Sequence, residues 1–160
     1  MDRKKIKEKR KRGYFIDAAK NIIKNEGVDK LTVKKIAELA GFAPGTLYNH
    51  FEDLNDLLSY CIEDYWKECR DYVLNKIKSK SGAKERIISA GKAYCSYFME
   101  NAEIYHLIFI KDIKKVPKKR PEAVMILIEQ LKKAIDEGLI KENELKVMEN
   151  ILGNSIHGLM

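Results

Sequence analysis

Between Leu31 and Phe51 the chain reads LTVKKIAELAGFAPGTLYNHF, and two residues in that run leave the fold little freedom. Gly41 can take a positive φ that a Cβ would resist, and Pro44 can open a helix but is costly inside one. The segment therefore predicts two short helices joined by a turn. Ile36, Ala37 and Ala40 share one face of the first helix; Leu47 and Phe51 can face back onto it from the second. Thr32 is a candidate N-cap for the first helix, Val33 to Ala40. Bare backbone at Gly45 and the side chains of Thr46, Tyr48, Asn49 and His50 are left to point outward. Hydroxyls, an amide and an imidazole on so short a helix bury little surface. They suit contact with DNA in the manner of a helix-turn-helix.

Charge points the same way. The 160 residues carry a net charge of +7. Residues 1–50 hold 13 basic against 6 acidic side chains, whereas residues 51–160 hold 18 of each, so the whole excess lies in the segment with the turn motif. Eight Lys/Arg within residues 1–12 read as a frayed basic arm. Counter-ion release from a phosphate backbone rewards such clustering. A solvated Lys-rich surface would explain the charge alone; its coincidence with the motif favours nucleic acid.

Composition narrows the remaining classes. Hydrophobic residues at 45% and charged residues at 34% fit a soluble globular chain and are too apolar for a disordered one. No apolar run approaches the roughly 18 residues of a membrane span, and no apolar stretch follows the basic N-terminus as a secretory signal requires. Cys61, Cys69 and Cys95 are odd in number and form no C-x-x-C pair, which favours free thiols in a reducing cytoplasm. His106 and His157 lack metal-ligand spacing with Cys95, so no metal and no cofactor is expected. No convergent acid, base or nucleophile set suggests an enzyme.

Beyond the motif the chain reads as an all-α array. Phe15, Ala18, Ala19, Ile22 and Ile23 form a helical stripe ended by Gly27. Asp53 and Asp56 cap a long helix reaching about Lys78, with Leu58, Cys61, Ile62, Tyr65, Cys69 and Tyr72 as its stripe. After a break at Ser79 to Ala83, the next helix carries Ile87, Ile88, Gly91, Tyr94, Cys95 and Phe98. A short apolar helix spans roughly Ile104 to Ile110, followed by a Lys-rich loop, Lys111 to Arg120. Another helix carries Val124, Leu127, Ile128, Leu131 and Ile135 and closes near Gly138, and a last one starts near Asn143.

The first 60 or so residues resemble the TetR (tetracycline-repressor-like) family of transcriptional regulators. The matching positions are Ala18-Ala19, Gly27, Leu31-Thr32-Val33, Ile36-Ala37, Ala40-Gly41, Gly45-Thr46-Leu47-Tyr48 and His50-Phe51. The resemblance implies a reading domain over residues 1–52 and a helical effector-binding and dimerisation domain over 53–160. It implies phosphate contacts from Thr32 and Lys34, and DNA contacts from Thr46, Tyr48 and His50; Pro44, Gly45 and Asn49 complete the candidate DNA-binding set. Two departures stand out. Ala43 replaces the usual Ser or Thr ahead of the reading helix, and Leu54 replaces a basic residue, with Glu52 and Asp53 adding negative charge. Family members usually continue through one more helix than this chain, so a missing last helix is expected.

Aromatic residues on the middle helices define a candidate effector pocket of Tyr65, Tyr94, Phe98, Tyr105 and Phe109 with Ile128; plain core packing explains each of them equally well. Helices apolar on more than one side need more than one cover, so Met125, Met148, Ile151, Leu152 and Leu159 are the candidate homodimer interface. The partners expected are a double-stranded DNA operator, a small-molecule effector and a second copy. A helical adaptor, or an enzyme using the aromatic cavity, are the rivals; neither explains why the motif segment holds the net charge.

Overall fold

The computed structural model describes residues 3–113, 122–148 and 150. Its helices are α1 (Arg3–Glu26), α2 (Val33–Ala40), α3 (Pro44–Leu47), α4 (Leu54–Ile77), α5 (Ala83–Glu100), α6 (Ala102–Tyr105) and α7 (Glu122–Asp136). Short 3-10 turns occupy Val28–Lys30 and Glu142–Glu144, and a π-helical segment occupies His106–Ile110. No strand occurs among the described residues, so the fold is all-α as the sequence predicts. Two compact units result: residues 3–65 with 101–113, and residues 66–100 with 122–148 and 150. The first half of α4 belongs to the former unit and the second half to the latter.

In the first unit, α1 corrects the sequence reading. The basic arm is not frayed: it is helical from Arg3. Lys and Arg are good helix formers. The costly nucleus is supplied further along, where Phe15, Ala18, Ala19, Ile22 and Ile23 are buried, and propagation into the arm then costs little. The helix stops at Gly27, whose φ of 91° suits a residue without a Cβ and whose N–H donates to Ile23 O at 3.1 Å. A Cβ built at Gly27 would lie 2.8 Å from Glu103 Oε2 on α6. The same stretch is tied again by the ion pair between Lys111 and Asp29. The hydrogen bond and charge of Lys111 hold the Asp29 carboxyl below its ordinary value. Ile104 and Leu107 complete this packing and are buried.

The start of α4 follows the expected acidic signature. Asp56 N–H donates to Asp53 Oδ1 at 2.7 Å, and Glu52 N–H donates to Asp56 Oδ2 at 3.0 Å. Two otherwise orphaned donors are thereby satisfied. The carboxylate of Asp53 thus serves the helix end.

In the second unit, α5 buries only Tyr94 and Phe98 of the stripe expected of it. Ala83, Ala90, Ala93, Tyr94, Tyr97 and Phe98 are buried, whereas Ile88 is 49% exposed and Gly91 and Cys95 are half-buried. The physical reason is close approach: alanines let the helix lie near its neighbour, and the three large rings then fill the remaining space. On α7, Ala123, Ile126, Leu127, Gln130, Leu131 and Ala134 face inward.

Cys61 and Cys69 are fully buried in the α4 stripe. Burial pushes both thiols up to about 12 from the ordinary 9.0. Raised folded-state values stabilise the fold below pH 9.0, and that stabilisation is lost as pH climbs toward 12. Alkylation of native protein near neutral pH is expected to leave Cys61 and Cys69 unlabelled until denaturant is added, as peptide mass mapping would read.

Candidate nucleic-acid interface

The turn motif is built by three local devices. Thr32 sits in extended backbone with Oγ1 accepting from Lys35 N–H at 3.2 Å, the N-cap expected of it. Gly41 ends α2 at φ 78° and ψ 30°, and the next residue, Phe42, donates its N–H back to Ala37 O at 2.9 Å. That left-handed cap turns the chain sharply into α3. Pro44 takes the first turn of α3, while Ala43 provides no side-chain cap. Leu47 and Phe51 are buried and hold the short helix down.

The outer face then presents what was expected of it, with one exception. Pro44, Gly45 and Asn49 are exposed, Thr46 is half-buried and Tyr48 is 58% exposed. Thr32 and Lys34 are exposed at the start of α2, where Lys34 lies 3.9 Å from Glu38. His50 is the exception, and its expected outward placement is wrong. Its side chain is 4% exposed, with Nδ1 3.3 Å from Glu8 Oε2 and the ring 5.8 Å from that of Phe15. The cause is the brevity of α3: it ends at Leu47, so residues 48–50 form a turn and a helical wheel no longer predicts their direction.

Sequence reasoning missed two α1 residues at this site. Glu8 meets His50, and the Arg12 guanidinium lies over the rings of Phe51 at 5.1 Å and Tyr60 at 4.2 Å. Each partner lies far along the chain. The one available signal was that Glu8 is the only acid within residues 3–12.

The candidate effector residues divide between the units. Tyr65 is buried in the first and donates from Oη to Lys20 O at 3.2 Å; Tyr105 and Phe109 stack in that unit with ring centroids 4.9 Å apart. Tyr94 and Phe98 belong to the second, packed with Trp66 and Tyr97 at centroid separations of 5.1–6.4 Å, and Ile128 is buried on α7. A groove of about 550 Å³ in the second unit is lined by other residues, among them Tyr72, Lys76, Ser89 and Lys92. Of the interface candidates, Met125 is 48% exposed and Met148 half-buried. Ile151, Leu152 and Leu159 lie outside the described residues, as does most of the Lys111–Arg120 loop.

The first unit is thus an all-α assembly that caps and packs a helix-turn-helix, with its polar face exposed beside a basic helix. Residues 15–61 match the family described as bacterial regulatory proteins, tetR family. It is 35% identical over 83 residues to the fatty acid metabolism regulator protein of Bacillus subtilis, a match covering 51% of this chain and 43% of that protein. To the regulator BetI of Escherichia coli it is 33% identical over 81 residues, covering 50% of this chain and 42% of that one. The matches thus span less than half of these relatives' lengths. The crystal structure of FadR from Bacillus subtilis in complex with stearoyl-CoA shares the fold with a TM-score of 0.69 at 23% identity, covering 91% of this chain and 83% of that chain. Among the described residues no helix is long and apolar enough to cross a membrane.

Thr32→Ala is expected to remove the α2 cap and cost about 1 kcal/mol of stability. Denaturant melts with an unchanged slope would register it as a shifted midpoint.

Proposed function

We propose that this chain is a ligand-responsive regulator that binds a palindromic DNA operator as a homodimer and is released by a small-molecule effector. The observation that carries the reading is the exposed face of Gly45, Tyr48 and Asn49 on the unit whose first helix concentrates the positive charge. Base edges and phosphates are separate contact classes. In this reading Thr46, Tyr48 and Asn49 read bases while Thr32, Lys34 and the cations of α1 hold phosphates. Two copies would set two reading helices against half-sites one helical turn, roughly 34 Å, apart. Met125 and Met148 lie on the helices proposed to join them.

Effector binding among the helices from α4 onward would act by favouring a state with a different reading-helix spacing. The aromatic residues Tyr94 and Phe98, and the stearoyl-CoA held by the structural neighbour, support a largely apolar effector. Its chemistry is otherwise open, as is the sign of regulation.

Tyr48→Ala is expected to weaken binding to a selected operator duplex by about 1–3 kcal/mol per half-site with little effect on random DNA. Neutralising Lys5, Lys7, Lys9 and Arg10 together should weaken both duplexes alike and flatten the salt dependence. Fluorescence anisotropy across a salt series reads both. A sequence preference that moves with the arm and not with Tyr48 would refute the assignment.

Light scattering at micromolar protein is expected to give a dimer of the full-length chain. A stable monomer there would remove the spacing mechanism.

A further inference from the structure

Within the eight cations of residues 3–12 there is one carboxylate, Glu8, and it faces inward to His50. Oε2 of Glu8 is 3.3 Å from His50 Nδ1, and Oε1 is 3.9 Å from Lys11 Nζ. A carboxylate at that distance favours a ring proton on Nδ1. Nε2 is buried and has no hydrogen-bond partner among the described residues, and the ring lies against Phe15. One helical turn along α1, on the same face, Arg12 covers the rings of Phe51 and Tyr60. Glu8 and Arg12 therefore hold His50 and Phe51, the two residues at which the chain leaves the reading helix for α4.

From this geometry we infer that Glu8 and His50 form a clasp that sets the direction of the reading helix relative to the basic half of α1. They are positioning residues for operator recognition, not DNA contacts. A carboxylate on a phosphate-binding arm opposes affinity for any DNA, by ordinary Coulomb repulsion. Half-exposed pairs also add little to stability. The clasp thus costs general affinity, and what it gives in return is register between the arm and the bases. Its effect belongs in the ratio of operator to random binding, because phosphate contacts orient and base contacts specify.

The inference rests on the DNA-reading function proposed above, and one experiment separates the two. Wild type, Glu8→Ala, Glu8→Gln, His50→Phe and the Glu8→Ala/His50→Phe double variant are titrated against two duplexes: one enriched by the wild-type chain from a random pool, and a scrambled control. Circular dichroism melts confirm that each variant is folded. Simple charge removal makes Glu8→Ala and Glu8→Gln alike: both bind both duplexes more tightly, with the ratio unchanged. Under the clasp, Glu8→Ala tightens random binding yet lowers the operator ratio about tenfold, the scale of a lost base contact. Glu8→Gln, which keeps an acceptor for Nδ1–H, retains most of the ratio. His50→Phe fills the slot beside Phe15 but cannot reach Glu8, so it should lose the ratio as Glu8→Ala does, and the double variant should lose no more. An unchanged ratio in Glu8→Ala, or additive losses in the double variant, overturns the clasp alone. A wild-type chain that does not distinguish the duplexes overturns the DNA-reading function and the clasp with it.

Discussion

The packing around Phe15 is the contact on which the reading head depends. Its ring is fully buried, 5.1 Å from Phe42, 5.8 Å from His50 and 6.2 Å from Phe51. Those three residues mark the turn after α2, the turn after α3 and the approach to α4. One side chain on α1 therefore touches each place where the motif changes direction. Emptying such a site costs about 3–5 kcal/mol, a large share of the roughly 5–15 kcal/mol that holds a domain folded. A four-residue helix cannot hold its own shape, because so few residues do not repay nucleation. What keeps α3 presentable is the set of rings beneath it.

Local chemistry was legible in the sequence wherever one residue dictates one conformation. Thr32 as cap, Gly41 as left-handed turn, Pro44 as helix opener and the Asp53–Asp56 pair all act within a few positions of themselves. What the sequence hid depends on partners far along the chain. His50 turns inward because Phe15 and Glu8 are there to receive it. The α1 arm is helical because a buried segment downstream has already met the cost of nucleation. On α5 a hydrophobicity pattern weights isoleucine above alanine, whereas packing uses alanine to bring helices close, so the stripe was read one step out of phase. The π-helical turn at His106–Ile110, closed by Lys111 N–H donating to His106 O at 2.9 Å, has no sequence signature of its own.

The unit that carries the reading face is larger than the motif. It includes the stretch 101–113, fastened by Ile104, Leu107 and the Lys111–Asp29 pair to the region just past α1. Asp29 precedes Thr32 by three residues, so this fastening lies directly upstream of the α2 cap. The functional boundary inferred from the motif near residue 52 and the grouping made by packing therefore describe different things. One follows the motif in the sequence; the other follows which residues pack together.

Gly27 has a consequence for how this sequence can change over time. Its backbone conformation alone disfavours a side chain, and Glu103, 76 positions away, occupies the volume that a Cβ would need. A side chain at 27 meets two unequal obstacles: the exposed Glu103 carboxylate can swing aside, whereas the positive φ stays strained whatever the space. Change at 27 is therefore held back by the backbone, whichever residue stands at 103.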